Sequence, residues 1–385
     1  MRHTQVTLMY LGTAAALWFL LADRLAKLIP GVSSSEISAV QASSLPHIAE
    51  NPLFAPYKIL TYLSQKLPLQ HIVSARLVSG LWAVAIIWLF YRVIRAWYTP
   101  RIAILGVLLL ATSSWFLHAA RLAEPNVMFA STIALIWCGL LFHSHQEHPW
   151  VGLPIVLVVS LLLYIPGFVW FILLAILWQN KQLSTFLKTQ TNTQLTLLGT
   201  LELLLVSPLI YGLVTHLKLL KQFLGLPDTV PSLSTLLYNF LAIPNKLFFH
   251  GPQGGAHWVT GTPLLDYFAV LMLVLGAYVL WHKFSLDRIR MLAGLVVVSL
   301  VLLTLGVADI IILLPLLYIL AVSGMAFMLQ QWFTVFPRNP VARTAGVIVV
   351  GSVVFLSCFY QLDHYFIAWR YTPETKAAFG NHLLE

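Results

Sequence analysis

The chain is 385 residues long, 59% hydrophobic and 9% charged, where a soluble domain carries about 25% charged residues. So few polar side chains cannot cover a water-facing surface, which excludes a soluble enzyme, a secreted disulfide scaffold and a disordered tail protein. The net charge of +9, from 22 basic and 13 acidic residues, fits basic loops that orient membrane helices, so no nucleic-acid partner is expected.

Apolar runs long enough to span a ~30 Å hydrocarbon core recur along the chain. The first, Val6 to about Leu28, follows Arg2 and His3, exceeds a signal-peptide core and lacks a small-residue cleavage site, so it reads as a retained first helix. Further spans are predicted at 73–94, 102–118, 126–143, 150–165, 167–178, 194–216, 264–282, 291–307, 310–330 and 344–361. Within them, Tyr164-Ile165-Pro166-Gly167 reads either as the break of a short helical hairpin or as the kink of one helix. The expected fold class is an all-α polytopic membrane protein with about 11 transmembrane helices.

With the N-terminus inside, the cytoplasmic loops hold Arg92, Arg95, Arg101, Lys181, Lys188, Lys283, Arg288, Arg290, Arg338 and Arg343, while the short outer loops hold only Arg121. Two long segments, about 29–72 and 217–263, then lie outside. Residues 37–72 carry Ile37, Val40, Leu45, Ile48, Ile59, Leu60, Leu63 and Leu67 at helical spacing, interrupted by Pro46, Pro52, Pro56 and Pro68. They read as amphipathic juxtamembrane helices. The expected organisation is a first module over 1–180, the remaining helices over 181–361 and a short outer tail over 362–385, with no separate soluble domain. Cys138 and Cys358 lie inside apolar runs without a CxxC or metal-ligand spacing, so no disulfide framework is expected.

Most carboxylates fall outside or near the outer boundary, which makes that face the expected functional surface. Glu36 follows Ser33-Ser34-Ser35, a pattern that equally suits a helix N-terminus. Glu124 lies in His118-Ala119-Ala120-Arg121-Leu122-Ala123-Glu124-Pro125, a turn between two spans, where Arg121 is three residues away and could pair with it locally. An acid after the first helix, amphipathic surface segments and a second acidic loop form an ordered constellation.

Here the sequence resembles the GT-C superfamily of membrane glycosyltransferases, in the branch of protein O-mannosyltransferases and the lipid A aminoarabinose transferase. The stretches that carry the resemblance are Ser35-Glu36-Ile37, Glu50-Asn51-Pro52-Leu53-Phe54-Ala55-Pro56-Tyr57, Ser74-Ala75-Arg76-Leu77-Val78-Ser79, Ala120-Arg121-Leu122-Ala123-Glu124-Pro125 and the Tyr164–Gly167 break. The resemblance covers about the first 180 residues. It implies transfer of a sugar from a polyprenyl-phosphate donor to an acceptor hydroxyl of a glycan, lipid or protein at the non-cytoplasmic face. By position, Glu36 is the implied general base, with Glu124 a second catalytic acid and Arg121 its support near the donor head group. Glu50, Asn51 and Tyr57 are implied to bind substrate. The chemistry needs one base for the acceptor and cations for the departing phosphate.

The Lys-Pro-Pro element of the aminoarabinose branch is replaced by Asn51-Pro52-Leu53. The phosphate contact is therefore expected from Lys58, Arg76, Arg121, Lys246 or Arg370, with Lys218 and Lys221 further outer-side cations. In the second long loop, His250, His257 and Trp258 are substrate-binding candidates, flanked by glycines that let a ligand approach the backbone. For Trp258 the interfacial belt is the commoner reading. Asp309 could line the donor groove. No cofactor is required; a divalent metal held by His250 and His257 with Glu36 or Glu50 is compatible with the spacing but not demanded by it.

Glu202 sits inside an apolar run, where a charge costs ~2.5–3.5 kcal/mol on insertion scales. It reads as protonated, as bonded to a Ser or Thr of a neighbouring helix, or as a proton-relay acid. The last option belongs to the competing reading, a transporter or lipid flippase, which should show inverted repeats and paired broken helices; the sequence has one Pro-Gly break. The expected location is a bacterial cytoplasmic membrane with the N-terminus inside.

Overall fold

A computed structural model of the chain describes residues 16–23, 25, 31–145, 150–252 and 258–379. Residues 16–21 are helical. Three short helices follow, α1 (Ser34–Gln41), α2 (Leu45–Glu50) and α3 (Ala55–Ser64), each begun by its own local signal. Ser33 and Glu36 form a reciprocal capping box on α1, and prolines occupy the first turns of α2 and α3.

The bundle then runs through α4 (His71–Trp97), α5 (Pro100–Thr112), α6 (Ser114–Arg121), a 3₁₀ turn at Pro125–Ser131, α7 (Thr132–His145), α8 (Gly152–Leu163), α9 (Phe168–Trp178), α10 (Asn180–Thr189), α11 (Asn192–Thr215) and α12 (Leu217–Phe223). It continues with α13 (Leu233–Phe248), α14 (Tyr267–Trp281), α15 (Asp287–Thr304), a 3₁₀ turn at Ile310–Leu313, α16 (Leu314–Val335), α17 (Pro340–Asp363), a π-helical turn at His364–Trp369 and α18 (Pro373–Ala378).

Every apolar run predicted from residue 73 onward coincides with helix in this order. Among the described residues, five stretches are long and apolar enough to cross a membrane: His71–Trp97, Pro125–Ser144, Asn192–Thr215, Ile310–Val335 and Pro340–Trp369. The run 102–118 is not one straight span, because α5 and α6 meet at an angle of 62°. The backbone N–H of Ser114 at that break donates to Gln361 Oε1 at 3.0 Å, so a distant side chain satisfies the group the bend releases. At Pro166-Gly167 the chain breaks into two short helices, with Gly167 at φ +77, a conformation that favours glycine. Most of the first predicted span lies outside the described residues.

One apolar core joins the two halves. Phe90, Leu110 and Phe116 from the first share it with Ile312, Leu316 and Val322 from the second, all fully buried. The closest approach is between α14 and α16. A Cβ on Gly276 would strike the carbonyl oxygen of Leu320, and one on Gly324 that of Met272, so only glycine lets these backbones touch. The segment from 362, expected as a short tail, instead continues the last helix. Tyr365 and Trp369, four apart on one face, are buried with Phe379.

Candidate active site

The turn Leu122–Glu124, between α6 and the 3₁₀ segment, is held from several sides. Glu36, with no exposed surface, accepts at Oε1 from Arg76 Nε at 2.8 Å and from the backbone N–H of Ala123 at 2.9 Å. Its Oε2 accepts from Arg76 Nη2 at 2.8 Å and from the Ser33 N–H at 3.2 Å. Ser79 Oγ donates to the Leu122 carbonyl at 2.6 Å and accepts from the Tyr57 hydroxyl at 2.7 Å. Burial pushes the Tyr57 phenol up, which keeps it a neutral donor.

This geometry sets the surroundings of Glu36, the residue expected as the base. A carboxylate has about four acceptor positions, and all four are occupied by donors of the fold. Buried and ion-paired, Glu36 is a clamp that fixes α1, α4 and the Leu122–Glu124 turn together. Arg76 also donates to the carbonyls of Leu25 and Gly31, so its guanidinium is engaged with the chain itself. Arg121 does likewise. It is 2% exposed, donates to the carbonyls of Leu20 and Asp23 at 2.5 and 2.6 Å, and lies over the rings of Tyr365 and Phe366. A cation on the last carbonyls of a helix is a favourable terminus contact.

Glu124 stands differently. It accepts from Ser35 Oγ at 2.5 Å and from Asn126 Nδ2 at 3.1 Å, and it borders a cavity of about 540 Å³. The cavity lies between α6, the first 3₁₀ turn, α13 and the start of the second 3₁₀ turn. Its wall brings together Glu124, Asn126, His118, Lys246, Trp258 and Asp309, with Asn239, Asn245 and Tyr238 from α13. Asp309 caps the Ile310–Leu313 turn by accepting from the Ile311 N–H at 2.9 Å. Lys246 is the lysine or arginine among the described wall residues. Two carboxylates, one ammonium, several amides and aromatic rings therefore face one space, a set able to take a proton, hold an anion and bind hydroxyls.

Trp258 is 2% exposed and packed between His118 and His364, with its Nε1 donating to the Thr262 carbonyl. It lines the cavity as part of the core, not as an interfacial belt residue. Of the residues expected at the site, Glu124, Lys246, Trp258 and Asp309 converge here. Lys58 does not; it is buried against the Asn51 carbonyl at 2.8 Å, and burial pushes its amine down to about 8. Asn51 Oδ1 caps the Leu53 N–H, Glu50 is exposed at the end of α2, and Arg370 lies over the Tyr371 ring. Exposed His250 pairs with Asn245 Oδ1 at 3.0 Å, beside the cavity. His257 lies outside the described residues. Among those described, no three His, Cys, Asp or Glu side chains gather as a metal site. Glu202 accepts from Ser160 Oγ of α8 at 3.0 Å, one of the arrangements anticipated for it.

Sequence reasoning passed over His118 and the amides of α13. His118 was within reach: it sits three residues before Arg121, four before Leu122 and three after Trp115, a helical spacing that puts it beside the acidic turn. Asn239 and Asn245 carry no such signal, because a long loop separates them from that turn.

Residues 51–211 match the family described as dolichyl-phosphate-mannose-protein mannosyltransferase. No curated protein sequence matches the chain. Among solved structures, the crystal structure of ArnT from Cupriavidus metallidurans in the apo state is similar in fold, with a TM-score of 0.51 at 14% identity, over 99% of this chain and 77% of that one. The matched segment spans less than half of the chain and the structural likeness is one of fold; together they make the chain similar to integral-membrane glycosyltransferases of the GT-C superfamily.

Proposed function

We propose that the chain transfers a sugar from a polyprenyl-phosphate donor to an acceptor hydroxyl, at the non-cytoplasmic face of a bacterial inner membrane, in the cavity bordered by Glu124. The observation that carries this reading is the convergence of Glu124, Asp309 and Lys246 on one aromatic-walled space. In this scheme the acceptor O–H gives its proton to the Glu124 carboxylate as its oxygen attacks the anomeric carbon. The bond from that carbon to the phosphate oxygen breaks, and the lipid phosphate leaves with the electron pair, its charge met by the Lys246 ammonium. Ser35 and Asn126 orient the carboxylate, and Glu36 acts through the turn it clamps. The acceptor is a glycan, a lipid or a protein side chain.

The test is release of polyprenyl phosphate from a panel of polyprenyl-phosphate sugars by the purified protein with crude envelope acceptors, alongside Glu124→Gln. Donor-dependent release that disappears in Glu124→Gln while the variant keeps its melting temperature supports the reading. Full release by Glu124→Gln removes Glu124 as the base, and movement of an intact lipid-linked sugar across vesicles without cleavage would replace transfer by flipping.

A further inference from the structure

A larger cavity, about 1050 Å³, opens at the other end of the same bundle. The helices show that the two are opposed. α4 passes Glu36 at Arg76 and reaches this cavity at Trp97, 21 residues and roughly 30 Å later. α15 runs the other way, from Arg288 at this cavity to Thr304, whose carbonyl accepts from Asn239 on the catalytic side. Arg95, Arg101, Lys283 and Arg288 line the space, and no carboxylate does among the described wall residues. The neighbouring Asp287 pairs with Arg290 instead.

Behind these cations the wall turns apolar, through Leu105, Val279, Ala326, Leu329 and Phe333. A polar contact lies within it, where the Tyr98 hydroxyl donates to Ser323 Oγ at 2.8 Å. Arg288 stacks over the Trp97 ring at 5.3 Å, which holds its guanidinium at the mouth. Orienting a membrane protein requires cations near helix ends, but not their convergence on a hollow with an apolar interior. Four like charges around one space repel each other, and a bound anion offsets that repulsion. The volume stands at the upper end of ligand cavities, about 300–1,000 Å³, more than a lone phosphate needs.

We infer that this cavity holds an anionic diacyl phospholipid, its phosphate among Arg95, Arg101, Lys283 and Arg288 and an acyl chain along the wall of α5, α14 and α16. The site is separate from the transfer reaction and does not depend on it. The test is native mass spectrometry of the delipidated, detergent-purified protein titrated with dioleoylphosphatidylglycerol or zwitterionic dioleoylphosphatidylcholine. The expected result is one phosphatidylglycerol per chain, bound at least about tenfold more tightly than phosphatidylcholine, since cations near a membrane surface attract an anionic lipid over a zwitterionic one.

Two variants separate head from tail. Arg95→Gln with Arg101→Gln and Arg288→Gln removes charge and leaves the wall intact, whereas Ala326→Trp fills the wall and leaves the charge. Both should lose the bound lipid; if the triple variant does not fold, Ala326→Trp alone decides. Equal retention of phosphatidylcholine overturns the inference, as does retention of phosphatidylglycerol by Ala326→Trp. Displacement of the lipid by excess inorganic phosphate would reassign the site to the free anion.

Discussion

Glu36 and Glu124 make an instructive pair. Both are buried, both lie in short motifs of the first third of the chain, and both contact the serine-rich start of α1. Their surroundings differ in one respect that decides their chemistry. Glu36 is enclosed by a guanidinium and two backbone N–H groups, and every acceptor position is used within the fold. Glu124 takes hydroxyl and amide bonds and borders a space it shares with Lys246 and Asp309. An acid enclosed by the fold and an acid that borders a cavity are thus linked through Ala123, whose N–H donates to Glu36 and which precedes Glu124 in the chain.

The comparison breaks or holds first on activity. Glu124→Gln should lower the transfer rate by ~10²–10⁴-fold, the usual contribution of a positioned base, with the apparent melting temperature in detergent within a degree or two of the parent. The same substitution at Glu36 should instead show in stability, because it leaves Arg76 charged and buried without its partner. Breaking such a pair costs about 3–5 kcal/mol, and Arg76→Ala should show a comparable loss by thermal or denaturant unfolding. A Glu36→Gln protein that melts like the parent yet transfers nothing would return the base to Glu36.

Next in size is the cation. Lys246→Ala should reduce kcat/KM for the donor by about 10- to 100-fold, the worth of a charged hydrogen bond, with little change in acceptor KM. Donor titration checks it. Equal loss against both substrates would mean that Lys246 shapes the cavity rather than binding phosphate.

The helices were legible because membrane-length apolar runs are a one-dimensional signal. The Pro-Gly break at 166–167 was visible for a similarly local reason. The bend between α5 and α6 was not, since it depends on Gln361 reaching Ser114 from the far end of the chain. The segment from 362 was read as a tail because its hydropathy falls, although Tyr365 and Trp369 keep the helical spacing that buries them. At the site, the motifs drew attention to both acids but not to the difference in their surroundings. That difference depends on where Arg76 lands, 40 residues from Glu36, and Lys246, on a helix far along the chain. Of the phosphate cations expected, Lys58, nearest in sequence, and Arg121, implied by the resemblance, both bond main-chain carbonyls, whereas Lys246 lines the cavity.

The smallest predicted effect concerns that contrast between lysines. Lys58 is buried on the clamp side, and its amine is pushed from the ordinary 10.5 down to about 8. Below about pH 8 it is protonated in both folded and unfolded chains, and the fold bears the full cost of burying the charge. Between about pH 8 and 10.5 the folded chain gives up the proton while the unfolded chain keeps it, so the unfolded state binds more protons and stability rises with pH. The apparent melting temperature should therefore climb modestly across that window, and Lys58→Met should flatten the slope while losing the bond to the Asn51 carbonyl, worth about 1 kcal/mol. A slope unchanged in Lys58→Met assigns the titration to another group. A parent slope abolished by added polyprenyl phosphate would mean that Lys58 stays charged beside the ligand, which would put the phosphate on the clamp side and erase the distinction between the two lysines.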